Sequence, residues 1–153
     1  MSVFSYERKL KQDLDKDMEK AVDFHGHLGP FLVVGVRMGI IGLKQLEARQ
    51  GDTALRATVS LKRSVPFSCV IDGIQVTTRC TIGNGRLKIR NSPREISTTL
   101  EILGGKRVTV TLNPARLAEL RRSLRETVAS DQLEEIARVI ASMPEKDLFI
   151  IQK

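Results

Sequence analysis

The sequence predicts an α+β domain in which a mixed or antiparallel sheet packs against helices. Helical periodicity dominates residues 3–50 and 114–143, and alternating apolar and polar residues fill much of the stretch between them. Helices that flank a meander of strands are typical of this class. With 153 residues, 17.1 kDa and 41% hydrophobic residues, the chain can build one core of its own. We therefore assign residues 1–153 to a single domain.

Two helices are predicted in the N-terminal third. Residues 3–23 repeat apolar side chains at a spacing of four, with Lys, Asp and Glu between them. After a glycine-containing break at 24–29, Pro30 suits the first position of a helix that runs to about Gln50 and is apolar on most sides. Three glycines on one stripe of this helix predict that another backbone approaches closely there: Gly35, Gly39 and Gly42.

The middle of the chain alternates between strand and helix signals. Residues 53–62 read as a half-buried strand, 69–79 as a helix, 81–85 as a tight turn and 86–90 as a second strand. Gly104 and Gly105 predict a two-residue hairpin between strands at 96–103 and 107–112.

The C-terminal third returns to helical spacing. Asn113 can cap a helix that begins at Pro114. The apolar stripe of this helix comprises Leu117, Leu120, Leu124 and Val128. Asp131 with Glu134 resembles the capping-box start of a second helix, and residues 148–151 predict a last short strand.

The net charge of +7, from 25 basic and 18 acidic residues, is compatible with nucleic acid, an anionic cofactor or an acidic partner. Five Phe, one Tyr and no Trp leave little for base stacking, which argues against single-stranded nucleic acid. Two basic clusters are interpreted as solvated faces: Arg86, Lys88 and Arg90 on a strand, and Arg121, Arg122 and Arg125 on a helix.

The apolar run 31–43 contains Arg37 and is too short to cross a bilayer. Since the N-terminus lacks a signal-peptide core, we expect a cytoplasmic protein without a membrane segment.

The histidines and cysteines are few and grouped. The two His of the chain, His25 and His27, stand two residues apart, and the two Cys, Cys69 and Cys80, lie in one later segment. Imidazole and thiolate are the ligands that zinc and its neighbours prefer. In extended backbone the two imidazoles would share a side, about 6.6 Å apart, and could converge on one ion. The alternative is a pair of loop histidines whose polar atoms are satisfied locally.

The predicted helix at 69–79 determines how far apart the two cysteines lie. It would separate Cys69 from Cys80 by about 16 Å, which excludes a disulfide and makes joint binding of one ion difficult. Cys69 lies at the helix start, where the helix dipole stabilises a thiolate. Asp72, one turn later, could orient an imidazole, bind a metal directly, or simply be a favourable acid of the first turn. Both cysteines could instead be small buried hydrophobes.

Two motifs resemble one known family. Residues 24–37, Phe-His-Gly-His-Leu-Gly-Pro-Phe-Leu-Val-Val-Gly-Val-Arg, resemble the opening signature of the E-subunit family of formylmethanofuran dehydrogenase, roughly F-H-G-H-x-C-P-G-x-x-x-G-x-R. Residues 69–75 and 80–87, Cys-Val-Ile-Asp-Gly-Ile-Gln and Cys-Thr-Ile-Gly-Asn-Gly-Arg-Leu, are similar to its second signature, C-x-x-D-A-I-Q followed by G-C-T-x-G-K-G-N-L. The resemblance spans roughly residues 15–110.

The resemblance implies an α+β fold with a mixed sheet and a metal site. Zinc or another divalent transition metal would be bound at the matching positions, His25, His27, Cys69 and Cys80. It also implies association with a molybdenum or tungsten enzyme of one-carbon metabolism. Gly29 replaces the Cys of the first motif, and no Cys follows Cys80, so the C-terminal zinc ribbon of many members is absent. Water in place of the missing thiol would give the open position of a catalytic metal.

Three functions follow from these features. The first is a metal-binding protein that resembles this dehydrogenase E-subunit. The second is an enzyme in which His25, His27 and Cys69 hold an ion whose water attacks a substrate, with Asp72 as the nearest carboxylate for proton transfer. The third is a basic binding module with a structural metal or none.

We also expect a homodimer. The helix from Pro30 is apolar almost all round, and one small domain has limited material to cover both this helix and the strand at 53–62. The predicted interface lies near these two elements, with the metal site close to the boundary between the two chains. The alternative is a monomer in which the C-terminal helices cover everything.

Overall fold

In the computed structural model, residues 2–127 and 129–153 are described, and these contain six helices and five strands. The helices are α1 (Val3–His25), α2 (Pro30–Leu46), α3 (Cys69–Thr78), α4 (Pro114–Glu126), α5 (Ser130–Ser142) and α6 (Glu145–Leu148). The strands are β1 (Leu55–Leu61), β2 (Leu87–Asn91), β3 (Ser97–Ile102), β4 (Arg107–Leu112) and β5 (Phe149–Gln152). The predicted α+β class is confirmed.

The five strands form one mixed sheet in the order β2-β1-β3-β4-β5. Only β1 and β2 run parallel within the described sheet, and α3 supplies the crossover that a parallel pair requires. Ala57 of β1 pairs with Leu87 of β2 on one side and Leu100 of β3 on the other. The predicted alternation of β1 is confirmed, because its residues are buried and half-buried in turn.

Helix α2 lies in the centre of the molecule. It packs against α3, α1 and α5 and against strands β3 and β4. Leu32, Val33 and Val34 are at most 1% exposed. The expectation that one small domain has too little material to cover this helix is therefore wrong. Helix α3 supplies most of the helical cover, and α5 and α1 supply the rest.

The crossing of α2 and α3 is built on glycine. A Cβ atom on Gly35 would collide with the backbone of Val70, and one on Gly73 would lie 2.5 Å from the backbone nitrogen of Val36. The predicted close approach of another backbone is confirmed at Gly35. At Gly39 and Gly42 the neighbours are instead the side chains of Thr77 and Leu100.

Arg37, which matches the last residue of the opening signature, ties α2 to the end of α5. Its guanidinium group donates hydrogen bonds to the carbonyl oxygen of Ile140, at 2.8 Å, and to that of Met143. These carbonyls belong to the last turn of α5 and its C-cap, where the helix leaves acceptors unpaired. The arginine thus has a structural role.

Several predicted boundaries need correction. Helix α2 ends at Leu46 rather than near Gln50, because Glu47 adopts a left-handed φ of 53°. The β3–β4 hairpin is longer than a two-residue turn, since residues 103–106 connect the strands. Helix α5 begins at Ser130, so Asp131 lies inside the first turn instead of capping it.

Other local predictions are confirmed. The side chain of Asn113 caps α4 by accepting a hydrogen bond from the backbone N–H of Ala115 at 3.0 Å. Val128, assigned to the apolar stripe of this helix, lies outside the described residues. Among the residues that the structure describes, no helix has the length and apolar character needed to cross a bilayer.

Candidate metal and ligand site

The end of α1, the loop that follows it and the start of α3 form one corner of the molecule. His25 is the last residue of α1, and Gly26 ends the helix with a φ of 106°. The chain therefore turns sharply between the two histidines, and the predicted extended geometry is wrong. The two imidazoles are nevertheless neighbours, with ring centroids 4.7 Å apart and planes tilted by 38°.

Asp72 of α3 holds His25 in place. The Nδ1 atom of His25 lies 2.5 Å from Oδ2 of Asp72. The carboxylate's other oxygen accepts a hydrogen bond from Nε2 of Gln75 at 3.3 Å, and Oε1 of Gln75 accepts one from the backbone N–H of Ile82 at 3.1 Å. This chain of hydrogen bonds fixes the position of the carboxylate and, through it, the orientation of the imidazole.

The other nitrogen of the same ring, Nε2, has no partner among the residues that the structure describes. Because an ionised carboxylate only accepts, Nδ1 of His25 must carry the proton in this contact. In the neutral ring, Nε2 is then an acceptor with a free lone pair. This atom is buried and makes no hydrogen bond within residues 2–127 and 129–153. A buried polar atom without a partner is uncommon in proteins, and the ring that carries it lies beside a second imidazole.

His27 is exposed and lines an open groove of about 570 Å³ between α1 and α5. The groove has an apolar part, formed by Met18, Val22 and Leu28. Its polar lining comprises Asp15, Glu19, Glu134 and Arg138. Sequence reasoning missed these charged residues, because only the packing of α1 near α5 brings them to one groove.

Gly29 occupies the position of the motif's cysteine. A Cβ atom placed there would lie 3.6 Å from Nε2 of His27, an ordinary van der Waals distance. A side chain at this position would therefore contact His27. The glycine leaves this side of the imidazole open.

Cys69 is the first residue of α3 and is half-buried. Burial raises the pKa of its thiol above the usual range, and the negative charge of Asp72 raises it further. The expected thiolate at the helix start is therefore not favoured in the metal-free protein. Burial and the carboxylate together outweigh the stabilising effect of the helix N-terminus.

Cys80 lies elsewhere, in the hydrophobic core. It is 1% exposed, and its Sγ donates a hydrogen bond to the carbonyl oxygen of Leu55 at 3.5 Å. Both cysteines are free thiols. The structure thus brings His25, His27 and Asp72 together, with Cys69 on the same end of α3, and separates Cys80 from them. In the described part of the chain, no three His, Cys, Asp or Glu side chains are grouped as a ready-made metal site.

The chain belongs to the FmdE family. The model of this family, described as "FmdE, Molybdenum formylmethanofuran dehydrogenase operon", matches residues 24–150. This confirms the resemblance seen in the two motifs and relates the chain to that molybdenum enzyme. The match begins at Phe24, so nearly all of α1 precedes it.

A relative from Archaeoglobus fulgidus is described as a probable S-adenosyl-L-methionine-binding protein. It is 35% identical over 81 residues, which are 53% of this chain and 22% of the relative. The matched segment thus spans about a fifth of that protein.

Proposed function

We propose that this chain is a metal-binding member of the FmdE family in which His25 and His27 are the nitrogen ligands. The observation that carries the proposal is the buried, unpartnered Nε2 of His25 on a ring whose Nδ1 faces Asp72. Metal-binding histidines usually donate their other ring N–H to a carboxylate or carbonyl. Zinc or another divalent transition metal would give this nitrogen the partner that it lacks.

The spacing of the rings supports the proposal. With Zn–N bonds of 2.0–2.1 Å and a tetrahedral angle, two bound imidazoles have centroids roughly 5 Å apart. The observed 4.7 Å is close to this value. Cys69 is the third candidate ligand, because it begins α3 and lies in the same first turn as Asp72. Cys80, held in the core by Leu55, is the least favoured of the four predicted ligands.

Such a site would keep positions open for water. The space beside His27 at Gly29 lies where the family motif has a cysteine. A metal with an open position can activate water, which is the chemistry of the enzyme alternative. Asp72 is already engaged by His25 and Gln75, which favours a positioning role over proton transfer.

Zinc titration against a chromophoric chelator tests the proposal. Full-length protein should take up about one ion per chain, and His25→Ala and His27→Ala should each abolish binding, because one imidazole leaves too few ligands. Cys69→Ala should weaken binding, whereas Cys80→Ala, as the matched control, should leave the affinity of folded protein unchanged. Absence of zinc uptake, or uptake that survives both histidine substitutions, would overturn the proposal.

The groove beside His27 favours a second candidate function, the binding of an S-adenosylmethionine-like ligand. The relative's name motivates this candidate. The ligand carries an ammonium group, a sulfonium cation and a carboxylate. Three carboxylates, Arg138 and an apolar wall in the groove complement these groups.

Calorimetric titration separates the two candidate functions. S-adenosylmethionine should bind more tightly than S-adenosylhomocysteine, which lacks the sulfonium charge, and Glu19→Gln with Glu134→Gln should remove the difference. Glu47→Gln with Glu95→Gln, an equal loss of two negative charges at exposed positions outside the groove, is the control. Equal affinity for the two compounds would reject the candidate without affecting the zinc proposal.

The homodimer is retained as a proposal with a different interface. Helix α2 is covered within one chain, whereas the first half of α1 exposes Val3, Phe4 and Tyr6, with Phe4 78% exposed. Residues 3–11 contain three basic residues and one acidic, and residues 12–23 contain five acidic and two basic. Two α1 helices packed antiparallel would place the basic half of one against the acidic half of the other.

Sedimentation at micromolar concentration tests this interface. The wild type should sediment as a dimer, the pair Lys9→Glu and Lys11→Glu should dissociate it, and adding Asp13→Lys and Asp15→Lys should restore it. A one-chain mass for the wild type at every concentration would reject the dimer. The cytoplasmic location and the association with a molybdenum or tungsten enzyme also stay predictions.

A further inference from the structure

A second groove, remote from the two histidines in sequence, combines positive charge with an apolar floor. It has a volume of about 480 Å³ and lies between the segment after β1, the loop before β3 and helix α4. Its lining is Lys62, Pro66, Phe67, Pro93, Arg121, Leu124 and Arg125. Three of these seven residues are cationic, four are apolar, and none is acidic.

Arg121 is held in place at this groove. Its Nη2 donates a hydrogen bond to the carbonyl oxygen of Pro93 at 3.3 Å, and its Cζ lies 5.3 Å from the ring centroid of Phe67. Phe67 in turn packs edge-on against the buried ring of Phe31, with centroids 5.2 Å apart. The guanidinium group is therefore positioned by a carbonyl group and by a half-buried ring that packs against the core. Arg121 is thus held on one side, whereas Arg122 and Arg125, the other two residues of the predicted solvated face, are exposed.

The positive charges of the groove lack acidic partners. Within the described ranges, neither Lys62 nor Arg121 nor Arg125 forms an ion pair with a carboxylate, although Arg116 on the same helix pairs with Glu119 at 2.9 Å. Unpaired cations in a concave surface focus positive potential and attract anions. Guanidinium groups in particular bind phosphate through paired N–H bonds.

We propose that this groove binds a small organic phosphate with a flat apolar body, of the nucleotide class. The phosphate would be bound by Arg121, Arg125 and Lys62. The body would pack on Pro66, Leu124 and the part of the Phe67 ring that Arg121 does not cover. The volume is within the range of about 300–1,000 Å³ that is usual for small-molecule sites. A single aromatic ring at the groove accommodates one base and offers no platform for a strand of nucleic acid.

Calorimetric titration of the full chain with ADP, adenosine and inorganic phosphate tests the proposal. ADP should bind at least tenfold more tightly than adenosine, which lacks the charge, and than inorganic phosphate, which lacks the apolar body. Arg121→Gln with Arg125→Gln should weaken ADP binding at least tenfold. Phe67→Leu, which keeps an apolar side chain but removes the ring, should weaken it by less.

The control is Lys106→Gln with Lys153→Gln, an equal loss of charge at two exposed positions outside the groove, with folding of each variant checked by circular dichroism. Undetectable ADP binding, or equal losses in the control and the groove variants, would overturn the proposal. Tighter binding of a single-stranded oligonucleotide or of anionic lipid vesicles than of ADP would also overturn it, in favour of an extended anionic partner.

Discussion

The two sides of helix α3 differ in packing and hydrogen bonding: one is tightly packed, and the other faces a polar atom without a hydrogen-bond partner among the described residues. On one side, Gly73 and the backbone of Val70 are pressed against α2 at contact distances that only glycine permits. On the other side, Asp72 faces His25, whose Nε2 is buried without a partner. The first side is closed and has nothing left to bind. The second side faces Nε2 of His25 in α1, an unused hydrogen-bonding atom within the described residues, and is therefore the side at which a ligand can be accepted.

The two sides depend on each other because they are adjacent in sequence. Residues 72 and 73 are consecutive, so the α2–α3 crossing fixes the position of the carboxylate that orients His25. A tightly packed crossing thus provides the rigid frame for an incomplete polar site. This division suggests that substitutions at the crossing change stability, whereas substitutions at Asp72 change binding.

The largest effect on stability is expected from adding a side chain at the α2–α3 crossing. Gly35→Ala would gain up to about 1 kcal/mol of helix propensity. The added methyl group, however, would overlap the Val70 carbonyl group, and backbone cannot rotate away as a side chain can. The overlap should outweigh the gain and lower the free energy of unfolding by about 2–3 kcal/mol, as measured by urea denaturation.

The matched control is Gly83→Ala. A Cβ atom at Gly83 would have only the Thr81 hydroxyl near it, at 3.8 Å, so this variant should unfold within about 0.5 kcal/mol of wild type. Equal stability of the two variants would show that α2 and α3 can separate without penalty. The contrast between a rigid and an open side of α3 would then fail.

A smaller effect is expected on the other side of the helix. Asp72→Asn keeps the shape but removes the charge that stabilises the Nδ1–H form of His25. If His25 binds zinc, its affinity should fall about 10–100-fold, while stability changes little. Chelator competition measures the affinity, with Asp131→Asn as an exposed control on α5. Unchanged zinc affinity in Asp72→Asn would mean that the carboxylate does not act through a metal-binding imidazole.

The sequence predicts the helices and strands better than it predicts the candidate metal site. The alternation of β1, the apolar α2 and its Gly35 all follow from local periodicity and composition, which secondary structure obeys directly. The contact between His25 and Asp72 joins residues 47 positions apart, and it exists only because α1 packs on α3. The motif resemblance placed His25 in the predicted metal site, whereas Asp72 was left as a partner of an imidazole, a metal ligand or an acid of the first helical turn.

The cysteines show that two residues of one sequence motif need not lie at one site. Both belong to the same motif, yet α3 carries Cys69 at its start and ends before Cys80, which enters the core beside β1. The predicted helix already separated the two cysteines, and the tertiary structure adds that Cys69 lies at the corner and Cys80 in the core. The acidic groove beside His27 was missed because α1 and α5 are far apart in sequence.

The smallest expected effect concerns Cys69, the other residue on the binding side of α3. Burial, and after it the charge of Asp72, raises the pKa of this thiol above its ordinary value of 9.0, so the neutral thiol predominates at pH 7. Alkylation by iodoacetamide in metal-free protein should therefore be slow at pH 7 and rise about tenfold per pH unit up to the raised pKa. Asp72→Asn should lower that pKa and speed alkylation severalfold at neutral pH, because it removes the smaller of the two causes and leaves burial in place.

Mass spectrometry identifies the alkylated residue, and Cys80, buried against Leu55, should stay unmodified while the protein is folded. If Cys69 instead reacts rapidly at pH 7 and Asp72→Asn has no effect, the thiol is not desolvated beside the carboxylate. Cys69 would then no longer be a candidate ligand beside Asp72.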